Sequence, residues 1–152
     1  PVTPATPVVD PKDEETEIGN YGPLPSKAQL DYHKEELAAF IHYGMNTYTN
    51  SEWGNGRENP QNFTPTNLDT DQWIKTLKDA GFKRTIMVVK HHDGFVIYPS
   101  QYTKHTVAAS PWKDGKGDLL EEISKSATKY DMNMGVYLSP WDANNQGNPW
   151  QS

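Results

Sequence analysis

Hydrophobic positions along this chain follow two rhythms that alternate from one segment to the next. Ala38-Ala39-Phe40-Ile41-His42-Tyr43-Gly44 is a compact run of strand length closed by glycine. Asp69-Thr70-Asp71-Gln72 then reads as a helix start. Asp69 can cap free N–H groups, and Gln72 stands three residues on, where a capping box reaches back. Trp73, Ile74, Leu77 and Ala80 form one apolar stripe at helical spacing, and Gly81 falls where that helix should stop. Thr85-Ile86-Met87-Val88-Val89 is nearly all apolar, as expected of a strand buried on both faces. Asp118 opens a second helix with Glu121 at the return position and a stripe of Leu120, Ile123, Ala127 and Tyr130. Met134-Gly135-Val136-Tyr137-Leu138 is a third strand. A further helix is predicted over 26–36, with Leu30, Tyr32 and His33 among its larger groups.

The order β-α-β-α-β, with strand centres near residues 41, 88 and 136, predicts parallel strands joined by crossover helices, hence an α/β fold. A doubly wound nucleotide-binding sheet would carry a glycine-rich turn after a strand, and none is present. Polar and aromatic groups instead gather at the carboxyl ends of the strands: His42, then His91-His92, then Tyr137 and Ser139. A (β/α)8 TIM-like barrel builds its active site there, from several strands. Three strands are too few to close one. The expectation is therefore the amino-terminal portion of a barrel, incomplete in this chain, with residues 28–152 forming its first three β/α units and the rest supplied from elsewhere. Residues 1–27 carry prolines at 1, 4, 7, 11, 23 and 25 and the acidic run Asp13-Glu14-Glu15. They read as a solvated arm.

Charge narrows the partners. Fourteen basic against twenty acidic residues give a net −6, with no Lys/Arg cluster, so nucleic acid is not an expected partner. No apolar stretch approaches the roughly 20 residues that span a bilayer. There are no cysteines, which removes disulfides and thiolate metal sites. The chain opens on proline, the start expected of a secreted or periplasmic protein whose export signal has been removed.

The strand ends carry the chemistry. His42, Glu52, Trp53, His91, His92 and Tyr137 place imidazoles, a carboxylate and aromatic rings around one mouth. Neutral imidazole and ionised carboxylate can pair with sugar hydroxyls, and rings cover a sugar's apolar face. Plainer readings exist for each. A lone histidine on an apolar strand is commonly structural, and Glu52 can be a surface carboxylate. The His91-His92 pair can ligate zinc where a strand ends irregularly, though no His-x-His or Glu-x-x-His pair accompanies it. Asp93 suits loop closure better than base catalysis, and Trp73 suits the core. Trp112, Trp150 and His105 receive no role. A metal-dependent barrel hydrolase and a catalytically silent carbohydrate-binding segment remain the alternatives.

At these residues the chain resembles the α-L-fucosidases, glycoside hydrolase family 29, over roughly residues 21–142. The resemblance lies in Gly22-Pro23-Leu24-Pro25-Ser26, Phe40-Ile41-His42-Tyr43-Gly44-Met45-Asn46-Thr47, Glu52-Trp53-Gly54, Lys90-His91-His92-Asp93-Gly94-Phe95 and Tyr137-Leu138-Ser139-Pro140-Trp141-Asp142. The form His-Tyr-Gly-Met-Asn-Thr with Ser51-Glu52-Trp53-Gly54 is similar to the branch acting on α-1,3 and α-1,4 fucosyl linkages. The resemblance implies a barrel followed by a carboxyl-terminal β-sandwich. It also implies a retaining mechanism that needs no metal or cofactor, acting on a fucosylated glycan. It implies that His42, His91 and His92 hold fucose hydroxyls while Glu52, Trp53 and Tyr137 complete the pocket. The Asp nucleophile and Glu acid/base are expected beyond residue 152, and Asp142 is not assigned either role.

Overall fold

A computed structural model of the chain describes residues 22–145. Most of the predicted arm, its acidic run and Trp150 lie outside the described residues. The chain divides into two compact units, Pro1–Lys34 and Glu35–Ser152. The first contains nearly all of α1 (Lys27–Glu35). This helix starts with a capping box that sequence reading passed over: the Gln29 N–H donates to Ser26 Oγ, and the Ser26 N–H donates to Gln29 Oε1.

The second unit runs β1 (Ala38–Ile41), α2 (Met45–Thr49), α3 (Thr70–Asp79), β2 (Arg84–Lys90), α4 (Leu119–Lys129) and β3 (Asn133–Leu138), with short 3-10 turns between. The three strands form one sheet in the order β1-β2-β3, parallel throughout, with Phe40, Ile86 and Gly135 in one row. The predicted β-α-β-α-β order is therefore the observed one. β1 is shorter than the predicted 38–44 run. Pairing stops at Ile41, and Gly44 instead serves as the N-cap of the short helix α2.

Both crossover helices start as their sequences suggest, but only by half. Asp69 Oδ1 accepts the Gln72 N–H at 2.9 Å, and Asp118 Oδ1 accepts the Glu121 N–H at 2.8 Å. The reciprocal arms do not form. Gln72 bonds forward to Thr76, and Glu121 pairs with Lys125 one turn on. Both helices end alike. Phe82 N–H reaches the Leu77 carbonyl past Gly81, and Met132 N–H reaches the Ala127 carbonyl past Asp131. The intervening residues have φ of 91° and 50°, the left-handed turn of a Schellman motif.

Residues alternate faces along a strand. Met87 and Val89 of β2 pack with Ile74 of α3 and Leu119, Ile123 and Ala127 of α4 into one buried cluster. Burying each large aliphatic side chain stabilises the fold by about 1.5–3 kcal/mol. Leu119 is the fully buried residue of the second stripe, whereas the predicted Leu120 is only half-buried. Trp73 packs against the cluster from its rim. On the other face of the sheet stand Phe40, His42, Val88 and Tyr137, as register and alternation require. β1 and β3 are edge strands among the described residues, and Phe40, Val136 and Leu138 are about half exposed there.

Candidate active site

Three loops leave the carboxyl ends of the strands, and backbone contacts tie them together. Ser139 N–H donates to the Lys90 carbonyl at 3.0 Å, and Ala143 N–H to the His92 carbonyl at 2.8 Å. Asn144 Nδ2 donates to the Gly56 carbonyl at 2.7 Å. Gly56 has φ 77°, and a Cβ there would lie 2.3 Å from the Ala143 backbone, so only glycine permits this approach. Lys90 and Asp142 add an ion pair at 3.0 Å, and Asp142 Oδ1 also accepts the Asn145 N–H.

The register of β2 against β3 shifts between Val88 and Lys90. Regular pleating would send His91 and His92 to opposite faces. β2 ends at Lys90, however, and the chain turns there, with the Gly94 N–H donating to the His91 carbonyl, and the two rings lie 4.5 Å apart. A continuous ring series results. Tyr137 meets Phe40 at 5.5 Å, Phe40 meets His42 at 4.6 Å, and His42 meets His91 at 5.6 Å. His92 then meets Trp53 at 5.2 Å and Trp141 at 5.3 Å. His92 Nδ1 is 2.7 Å from Ser139 Oγ, which also accepts the Trp141 N–H.

A cleft of about 330 Å³ opens beside this series. His42, Glu52, His91, Asn46 and Asp93 line it, with Met45, Phe95 and Ile97 as apolar wall. Burial, then the neighbouring imidazoles His92 and His42, push the His91 pKa down against the opposing charge of Glu52, so the ring is held neutral. Asp93 is 1% exposed. Burial pushes its pKa up to about 7, with Glu58 and Asp142 adding to the rise and the Phe95 N–H and Lys90 opposing it. Its Oδ1 accepts the Phe95 N–H at 2.8 Å, the loop-closing contact expected from the sequence. His105 is buried beside Phe95 and 3.9 Å from Glu58, and burial lowers its pKa. Trp112 is buried against Phe63. Among the described residues no three His, Cys, Asp or Glu side chains converge as a metal ion would require.

The α-L-fucosidase family model matches residues 26–152. The chain belongs to the α-L-fucosidase family. Alpha-L-fucosidase 1 of Arabidopsis thaliana, a glycoside hydrolase by its name, is 47% identical over 124 residues, covering 82% of this chain and 24% of that protein. The chain thus spans about a quarter of the length of the curated relatives it matches. A putative α-L-fucosidase of Bacteroides ovatus superposes with TM-score 0.79 at 52% identity, over 80% of this chain and 21% of the other. A Ruminococcus gnavus family 29 fucosidase solved in complex with fucose gives TM-score 0.74 at 48% identity, over 80% of this chain and 25% of that one.

In this fucosidase-family segment, His42, Glu52 and His91 line the cleft directly. Trp53 and His92 adjoin it through ring contacts. Tyr137 stands apart, joined to His42 only through Phe40. Asn46, Ser139 and Trp141 lie within the motif blocks but had drawn no role. Glu58 lies in a polar stretch whose periodicity gave no signal.

Proposed function

We propose that this chain is the amino-terminal portion of the (β/α)8 catalytic barrel of a retaining α-L-fucosidase, working on fucosylated glycans outside the cytoplasm. One observation carries the reading: His42, His91 and His92, with Trp53 and Glu52, gather at one cleft in a chain of this family. Imidazole nitrogens suit the hydroxyls of L-fucose. The indole of Trp53, half exposed beside His92, suits its apolar face and the methyl at C5. Tyr137 acts on this pocket through Phe40, whose ring stands between it and His42.

A retaining reaction needs two carboxyl groups about 5–5.5 Å apart, one a nucleophile and the other an acid and then a base. Asp93 is buried and Asp142 is engaged by Lys90 and the Asn145 N–H. Neither is free to attack an anomeric carbon, and in this reading, as the family resemblance implies, the Asp nucleophile and Glu acid/base lie outside residues 1–152. The residues His42 to Thr47 and Ser51 to Gly54 favour α-1,3 and α-1,4 fucosyl linkages.

The test uses the full-length enzyme. His42→Ala and His92→Ala should each lower kcat/KM for an aryl α-L-fucoside roughly 5- to 150-fold, the effect of about 1–3 kcal/mol for a hydrogen bond lost from a sugar hydroxyl. Wild-type kcat/KM in a folded variant would remove that histidine from the pocket. Equal turnover of α-1,2-linked and α-1,3/1,4-linked fucosides would overturn the linkage assignment alone.

A further inference from the structure

Asn46, in the first turn of α2, makes two contacts with one nitrogen. Its Nδ2 lies 3.2 Å from the Glu52 carbonyl oxygen and 3.4 Å from His91 Nδ1. A carbonyl oxygen can only accept, so the contact to Glu52 fixes which end of the amide is the NH2. That NH2 then has one hydrogen for the Glu52 backbone and one directed at His91. An N–H facing an N–H at this distance would repel, so Nδ1 of a neutral His91 must offer its lone pair, and the ring proton sits on Nε2. The amide oxygen turns the other way. It is buried without a partner, in a corner where a Cβ on Gly54 would lie 2.8 Å from it and 2.7 Å from Cβ of Asp93.

We propose that Asn46 is a positioning residue that holds His91 as the neutral Nε2–H tautomer and ties it to the backbone at Glu52. It acts through His91, which lines the cleft, and gives that ring an N–H to donate to a ligand hydroxyl. The proposal rests on reading the cleft as a sugar pocket, but its first consequence concerns the ring alone. The charged and titratable groups facing His91 are His42, His92 and Glu52. The first two disfavour a second proton on the ring, and Glu52 favours one.

The tautomer is directly observable in histidine-labelled protein by two-bond ¹H–¹⁵N correlation, followed through a pH titration. Wild-type protein should show an unprotonated Nδ1 and a protonated Nε2 near neutral pH. Asn46→Asp replaces the donor with an acceptor of the same shape. The proton should move to Nδ1 or the ring should become charged, raising the His91 pKa, and affinity for L-fucose should fall about tenfold. Asn46→Ala removes the donor without adding an acceptor. Nε2–H should persist there, as water alone favours, but the His91 pKa should rise because the neutral ring loses its partner. If the Asp variant does not fold, the Ala titration decides. An unchanged His91 spectrum and titration in the folded variants would overturn the proposal. Failure of the wild-type His91 signals to respond to tens of millimolar L-fucose would instead refute the sugar pocket and leave the tautomer result standing.

Discussion

Asp93→Asn is the substitution whose sign is least intuitive. The carboxyl is 1% exposed and its pKa is pushed up to about 7, against about 3.9 in an unfolded chain. Between about pH 4 and pH 7 the folded protein therefore keeps a proton that the unfolded chain has lost. Stability has slope 2.303RT times the protons bound unfolded minus those bound folded. That difference is negative here, so this group's contribution is fully present below about pH 4, falls as pH rises, and is gone above about pH 7. At about 1.4 kcal/mol per pH unit over about three units, the loss is on the order of 2–4 kcal/mol. Asparagine is nearly isosteric, can accept the Phe95 N–H as Asp93 does, and never ionises. Near pH 4 the variant should match the wild type, and at pH 8 it should be more stable by about 2–4 kcal/mol. Urea unfolding at both pH values, with equal m, reads this directly. His91 and His105, whose lowered pKa values act in the opposite sense at acid pH, cancel because both proteins contain them. Destabilisation of the variant at pH 8 would mean that the ionised carboxylate is welcome in its site, and the reasoning from burial would fail.

Other perturbations probe the scaffold and the histidines. Gly56→Ala should destabilise by about 2–4 kcal/mol, visible as a lower urea midpoint, since its Cβ meets backbone at 2.3 Å in a left-handed conformation. Ile123→Ala, in the buried cluster between α4 and the sheet, should cost about 2–5 kcal/mol by the same measurement and leave the His91 and His92 spectra in place. Ser139→Ala removes the hydroxyl 2.7 Å from His92 Nδ1. It should weaken L-fucose binding by about 1 kcal/mol and also lower the melting temperature, because the Trp141 N–H loses its acceptor. In the full-length enzyme, overnight chelation should leave fucosidase activity unchanged; reversible loss would favour a metal-dependent hydrolase.

Much of the sheet could be read from local rules. Asp69, Asp118 and Gly81 mark helix ends because capping needs only neighbours in sequence, and the apolar runs of β2 and β3 declare themselves by composition. What escaped depends on distance. Asp131 takes the turn that Gly81 takes, but nothing local distinguishes it from an ordinary surface acid. Leu119 reaches the centre of the core while the expected Leu120 packs against its rim, a distinction the stripe alone does not make. β1 stops at Ile41, although β2 runs on to Lys90 beside β3, because the chain turns away into α2 at Gly44. At the site, His91 and His92 come together because β2 ends at Lys90 and the chain turns after it, which no strand pattern encodes. Asn46 in the short helix α2 and Glu58 and His105 in loops are polar residues whose burial follows from segments distant in sequence meeting each other. Tyr137 shows the converse, since its place at a strand end was legible but its separation from the cleft by Phe40 was not.

The mutual bracing of the three loops bears on how such a site can diverge. Surface loops are where binding proteins ordinarily gain and lose residues. Here an insertion near Gly56 would break its tie to Asn144, and one after His92 would break the tie to Ala143. Either would disturb the imidazoles that sit between those anchors. Length variation is left to a stretch outside the brace, residues 98–104, where Tyr102 stands 88% exposed. Changes there leave the ties at Gly56, His92, Ala143 and Asn144 untouched, so the part of the chain free to change is separate from the part that must stay.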